Sequence, residues 1–411
     1  MQPALDRTTF QELDCMADTM AHTLHTSGIL SGERIAFSHR ATKEAAALFF
    51  AAWRIGASIC PLSLRLPVSQ IEPHLKRLDA RAYIDSFPIV PQLRKTNCPP
   101  LPFPAALLFT SGSTSLPKIA ILSLSNLLSN AGPVVKMLDL RPKDRWLLNL
   151  PLSHVGGIGV LLRCILARAC VVLDENDSEI THVSAVPTQL YRATPIYKNL
   201  RCLLIGGAPI HSYPSNLPCF LSYGLTEMAS LVAAKYQPME TPPFNLGLPL
   251  PERQLRISPN GEIQVRGGCL FYGYLEQENI LMPFDEEGWF ATGDIGRLSQ
   301  QGLAIFGRKD WQFISGGENI QPEEIEQELL AVPGVFEAAV VPIDDPEFGQ
   351  RPLAILRASG RSLDSSYLKT ALLERLPKFK IPIRFLFVDE LPKNGLKINR
   401  IELSRIANKT I

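Results

Sequence analysis

Apolar residues recur at three- and four-residue spacing across residues 10–26 and again across 43–56, which predicts two amphipathic helices. Between and after them, short apolar runs at 34–38 and 58–62 predict strands. The alternation continues to about residue 235, with further apolar runs at 146–150, 169–173, 182–185 and 202–205 separated by turn or helix signals. Such an order predicts a mostly parallel sheet covered by helices. The stretch 87–104 holds six prolines and cannot form a continuous helix or central strand, so an extended connector is expected there.

The texture changes at Gly247. Short β-rich pieces at 254–257, 262–266, 289–292 and 303–306, joined by Pro-Asn-Gly and Gly turns, predict an antiparallel subdomain or small barrel. It changes again over the last hundred residues, where a helix at 322–330, strands at 336–342 and 352–357, a helix at 365–376 and a strand at 384–387 predict a compact α+β unit. The expected fold class is therefore α/β. A large N-terminal domain of mixed α/β subdomains covers 1–309, with a β-rich subdomain at about 245–307, and a small C-terminal α+β domain covers 310–411.

A chain of 411 residues suits two or three compact units. Its 46% hydrophobic content, 20% charged content and net charge of +1 leave no excess of either sign to attract nucleic acid or an anionic membrane. The most apolar long stretch, 155–173, is interrupted by Arg163 and Arg168 and falls short of the ~20 apolar residues of a membrane span. The eight cysteines form no CxxC pair and no secretory signal is evident at the N-terminus, so reduced packing cysteines in a cytoplasmic protein are expected.

Candidate chemistry begins at Thr110-Ser111-Gly112-Ser113-Thr114-Ser115-Leu116-Pro117-Lys118, which follows an apolar run. A strand feeding such a loop aims backbone N–H groups, small hydroxyls and one ammonium at a polyphosphate. It is not a Walker loop, because Pro117 and Ile119 stand where that motif needs Gly and Ser or Thr. In Ser222-Tyr223-Gly224-Leu225-Thr226-Glu227, a carboxylate beside a hydroxyl at a strand end suits a hard cation, and equally suits a helix cap. The small residues of Ile205-Gly206-Gly207-Ala208-Pro209 would let a flat base approach the backbone. Asp294, in Thr292-Gly293-Asp294, is a pure acceptor when ionised and suits the two donors of a ribose diol, although a solvated turn explains it as well.

These segments, in this order, resemble the motifs of the adenylate-forming superfamily of acyl-CoA ligases, luciferases and peptide-synthetase adenylation domains. The resemblance implies that Thr110, Ser111, Gly112, Ser113, Thr114 and Lys118 bind ATP phosphates. It implies that Gly206, Gly207, Ala208, Tyr223, Gly224 and Thr226 surround the adenine, and that Asp294 and Arg308 hold the rest of the nucleotide. Glu227 and Thr114 would contact Mg2+, and His154, in Pro151-Leu152-Ser153-His154, would gate the acid pocket. Asp310 would be the hinge of a mobile C-terminal domain whose Gly316-Gly317 loop faces the site after rotation. Pro392-Lys393-Asn394-Gly395-Leu396-Lys397-Ile398-Asn399-Arg400 resembles the terminal motif, with Lys397 as catalytic lysine and Lys393 as its rival. Three departures stand out: Ser115 and Leu396 each replace a family glycine, and the terminal segment is one residue short.

Across 222–230, 315–326, 346–352 and 396–400 the chain further resembles o-succinylbenzoate-CoA ligases of menaquinone synthesis. That implies ATP, Mg2+ and coenzyme A as the small molecules used, a carboxylic acid as substrate, and Lys397, Glu227 and His154 as the catalytic set. The partners expected are small molecules, with no nucleic acid and no membrane span; a homo-oligomer is left open. Another aryl- or acyl-CoA ligase, an adenylating enzyme for a separate carrier, or a degenerate nucleotide-binding protein are the competing readings.

Overall fold

The computed structural model describes residues 3–96, 100–110, 117–192, 197–208, 210, 213–236, 244–277, 279–358, 363–394 and 397–409. Two eight-stranded sheets dominate the N-terminal part. In one, Arg34–Phe37, Ser58–Pro61, Ala82–Ile84 and Ala105–Thr110 run parallel at the centre. In the other, Arg145–Leu147, Cys170–Val172, His182–Ala185, Cys202–Ile205 and Cys219–Leu225 do so. Their central strands are buried on both faces, which explains the unbroken apolar runs.

Helix Phe10–Thr26 begins where Thr9 and Glu12 form a reciprocal capping box, and Thr42 caps Lys43–Arg54 through the Ala45 N–H. Among the described residues of the proline-rich connector, the regular structure is the two-residue edge strand Gln92–Leu93. The expected β-rich subdomain is a four-stranded antiparallel sheet of Arg253–Ile257, Glu262–Gly267, Phe290–Ser299 and Gly302–Arg308. One part of 245–307 departs from that expectation. The hairpin Gly273–Glu276 with Asn279–Leu281 leaves the small sheet and pairs with Lys118–Ser123, Leu275 opposite Ile119. Tyr274 and Leu275 are thereby buried against a large sheet, which a four-stranded edge could not offer.

The C-terminal residues build their own sheet around Val335–Asp345 and Gly349–Ala358, with Arg384–Phe387 parallel at one side. Alternation sorts its side chains: Ala338 and Val340 pack with Ile325, Leu329 and Leu368, whereas Ala339 and Val341 pack with Leu403 and Ala407. Among the described residues, no helix is long and apolar enough to cross a membrane.

Candidate active site

The strands Ala105–Thr110 and Lys118–Ser123 are antiparallel, with Thr110 opposite Lys118, so the phosphate-loop segment joins them as a hairpin connection. Ser111, Gly112, Ser113, Thr114 and Ser115 lie outside the described residues, as do Pro209, Gly395 and Leu396. The Lys118 ammonium stands 4.8 Å from the centre of the Tyr274 ring, and the Tyr274 hydroxyl donates to Glu227 Oε1 at 2.7 Å. Tyr274 therefore touches both the loop lysine and the candidate metal carboxylate. Burial, reinforced by the Glu227 charge, pushes its phenol far up, so it stays a donor at any ordinary pH.

Glu227 lies in a short 3-10 turn, Thr226–Met228, between the antiparallel strands Cys219–Leu225 and Ser230–Tyr236. Among the described residues there is no cluster of three or more His, Cys, Asp or Glu side chains fit to cage a metal. One carboxylate is nevertheless the usual protein share for a magnesium whose other positions belong to water and substrate phosphates, so Glu227 fits that ion.

On the same strand, the Tyr223 hydroxyl donates to Asp294 Oδ2 at 2.6 Å. Arg308 donates to Asp294 Oδ1 at 3.0 Å, to the Thr292 carbonyl at 2.9 Å and to Asp310 Oδ2 at 3.2 Å. Burial, followed by the Asp294 charge, drives the Tyr223 phenol well above its ordinary value. Gly206 to Ala208 follow strand Cys202–Ile205 beside this one, and Ser222 Oγ donates to the Ile205 carbonyl at 2.9 Å. A Cβ on Gly206 would sit 2.4 Å from that Oγ, so this approach needs glycine. Tyr223, Gly224, Thr226, Glu227, Asp294, Arg308, Gly206, Gly207, Ala208, Lys118 and Thr110 are thus gathered from both large sheets and the small one.

His154 is exposed and occupies the N-cap position of helix Val155–Ala167. The same helix carries Arg163, the residue that interrupts the apolar stretch, and it is 1% exposed. Its guanidinium donates to Ser230 Oγ at 3.0 Å, and Ser230 pairs with Leu225 across the hairpin. Among the described residues Arg163 has no carboxylate partner, its second acceptor being Asn130 Oδ1 at 3.5 Å, and its Nε is buried without an acceptor. Burial first, then the nearby Arg253, pull its pKa down to about 10.

The remaining candidates belong to the C-terminal sheet system. Gly316 and Gly317 turn between the paired strands Phe313–Ser315 and Glu318–Ile320. The backbone of Lys397 pairs with Asn394 in a two-stranded ladder. Lys393 forms an ion pair with Glu337, which also meets Arg357 at 3.4 Å, so the rival lysine is engaged within the C-terminal unit. Tyr274 and Arg163 are the residues the motifs did not supply. Arg163 had a signal, a charge inside an otherwise apolar helix; Tyr274 had none.

Comparison with known proteins gives a consistent result. Residues 3–100 and 91–275 match the AMP-binding enzyme family, and 324–397 match the AMP-binding enzyme C-terminal domain. The 2-succinylbenzoate–CoA ligase of Escherichia coli K12 is 32% identical, over 96% of this chain and 92% of its own. That of Haemophilus influenzae is 31% identical, over 97% and 92%. Among solved structures, E. coli MenE with a phenylether-linked analogue of OSB-AMS superposes with a TM-score of 0.83 at 30% identity, covering 99% of this chain and 96% of that one. The o-succinylbenzoate CoA synthetase of Bacillus subtilis with the acyl-adenylate OSB-AMP gives 0.82 at 28% identity, covering 96% and 93%.

Proposed function

Because the chain belongs to the AMP-binding enzyme family, we propose that it is an AMP-forming ligase that joins 2-succinylbenzoate to coenzyme A through an acyl-adenylate, within menaquinone synthesis in the cytoplasm. The observation that carries this reading is the contact network Lys118–Tyr274–Glu227 beside Tyr223–Asp294–Arg308, in a chain aligned to such ligases along nearly its whole length.

The first step brings a carboxylate to the α-phosphorus of ATP and expels pyrophosphate; in the second, the CoA thiol attacks the acyl carbon and AMP leaves. Two anions must meet in the first step, and charge accumulates on the leaving group. Positive charge and donors fixed in place lower that barrier most, since they need no reorganisation as the reaction proceeds. Lys118 would face the phosphates, and Glu227 would hold magnesium, whose charge would offset the negative charge that develops on the leaving group. Asp294 accepts from the ribose, and Tyr223 fixes its carboxylate. Lys397 supplies a further cation from the C-terminal unit, whose rotation about Asp310 removes it for the thioester step.

The acid itself has two carboxylates, of which one reacts. A buried cation without an anion is the counterpart for the other, and Arg163 is such a cation next to the hairpin that bears Ser222 and Leu225. His154, at the N-terminal end of the same helix, would gate the entry of the acid.

The test is product identification by mass spectrometry after incubation with magnesium, ATP, CoA and a competing mixture of 2-succinylbenzoate, benzoates and fatty acids. A dominant 2-succinylbenzoyl-CoA is expected. A different thioester would keep the ligase and replace the acid, whereas absence of both thioester and AMP would reject the enzyme.

A further inference from the structure

The last strand of the small sheet, Gly302–Arg308, has Phe290–Ser299 as its strand neighbour on one side, and on the other its Leu303 backbone bonds Leu246 and Gly247. Such an edge leaves backbone donors and acceptors to be covered by something else. At Arg308 they are taken by side chains from beyond Asp310. The Gln321 amide donates to the Arg308 carbonyl at 3.0 Å, and the Arg308 N–H donates to Glu323 Oε1 at 3.4 Å. The same amide donates to Glu323 Oε2 at 2.6 Å, which closes the pair around one residue. Gly307 makes room for it, since a Cβ there would lie 2.4 Å from Gln321 Nε2 and 2.6 Å from Glu323 Oε2.

On its other side Glu323 meets the terminal motif. The Arg400 guanidinium lies 3.6 Å from Glu323 and 2.7 Å from Glu326, and it donates to the Val340 carbonyl at 2.9 Å. Arg400 opens the last helix, directly after the segment that carries Lys397. Packing alone does not explain this choice of residues. Gln321 and Glu323 are 6% and 5% exposed, and Gln321 Oε1 is buried with no partner among the described residues, so apolar side chains would fill the space at a smaller desolvation cost.

Arg308 precedes the hinge, whereas Gln321 and Glu323 follow it. A rotation at Asp310 therefore separates them, and their bonds to Arg308 belong to one orientation of the C-terminal unit. Resting on the two-step reading above, we propose that Gln321 and Glu323 are positioning residues that latch this orientation by gripping the Arg308 backbone, and that Arg400 ties the latch to the lysine segment. Losing the latch shifts the balance between orientations and leaves the chemistry of each intact.

Glu323→Gln and Gln321→Ala, separately, test this. Pyrophosphate exchange measures adenylation, and a pre-made acyl-adenylate with CoA measures thioester formation. The two rates should change unequally, their ratio moving at least fivefold. Trypsin cutting after Arg308 and Lys309, followed by mass spectrometry, reads the same latch without any activity and should quicken at least threefold. An unchanged cleavage rate overturns the latch, as does an unchanged ratio in an active enzyme. If the unaltered protein performs neither half-reaction, the ligase reading fails, and the cleavage rates still decide the latch.

Discussion

The Tyr223 hydroxyl donates to Asp294 at 2.6 Å, linking a strand of a large sheet to a strand of the small one at the point where the nucleotide ribose is proposed to bind. Asp294 is held from its other oxygen by Arg308, so its carboxylate is fixed from two directions. Tyr223→Phe removes one hold and leaves the ring. At about 2 kcal/mol for a hydrogen bond to a charged group, the KM for ATP should rise roughly thirtyfold with little change in kcat. Steady-state kinetics with varied ATP checks this, and an unchanged KM would show that Arg308 suffices.

Tyr274→Phe separates two duties of one side chain. The ring beneath the Lys118 ammonium is kept, while the bond to Glu227 is lost. A hydrogen bond to a charged group contributes about 2 kcal/mol, so adenylation should slow by roughly thirtyfold. The magnesium concentration for half-maximal pyrophosphate exchange should rise with it. A slower rate at unaltered magnesium demand would assign Tyr274 to Lys118 instead.

The two lysines of the terminal segment should behave differently. Lys397→Ala is expected to abolish adenylation while a pre-made acyl-adenylate is still converted with CoA. Lys393 is committed to Glu337, so Lys393→Ala should cost at most a modest loss in both half-reactions. Equal loss of both half-reactions in the Lys397 variant would remove that residue from the chemistry.

Arg163→Met keeps the length of the side chain and removes its charge. If Arg163 faces the unreacting carboxylate, the KM for the acid should rise at least about tenfold, the loss of one charged contact, while the KM for ATP holds. A monocarboxylic benzoate should be turned over no worse by the variant than by the unaltered protein.

His182 makes stability depend on pH. It is fully buried beside Trp146, its Nε2 has no partner among the described residues, and burial pulls its pKa down to about 4. Between the unfolded value near 6.5 and this one, the unfolded chain takes up a proton that the folded protein refuses. Stability therefore falls as pH falls through that window, by about 2 kcal/mol from pH 7 to pH 5 for this group. Urea denaturation at both pH values measures it, and His182→Leu should flatten the dependence.

The sequence announced most of the regular structure, because buried central strands and amphipathic helices leave strong apolar patterns. Helices Val68–Leu78 and Leu124–Met137 were hidden by Pro73 and Pro133, which in sequence read as breaks. The hairpin at Tyr274 was hidden for another reason: its partner strand is some 150 residues away, and pairing at that distance leaves no local trace. The nucleotide motifs were legible because small residues and lone carboxylates at strand ends are unusual. The links between them were not, since Tyr223 to Asp294 and Gln321 to Arg308 are relations of space.

Arg308 divides one guanidinium between Asp294 and Asp310. Any ligand that alters its hold on the first carboxylate alters its hold on the second. Nucleotide affinity and domain orientation then share a single free-energy cycle, and reciprocity applies: whatever nucleotide does to the hinge, the hinge does to nucleotide by the same factor. A substitution at Asp310 that biases the orientation should thus be readable as a change in AMP binding, in an experiment that contains neither acid nor CoA.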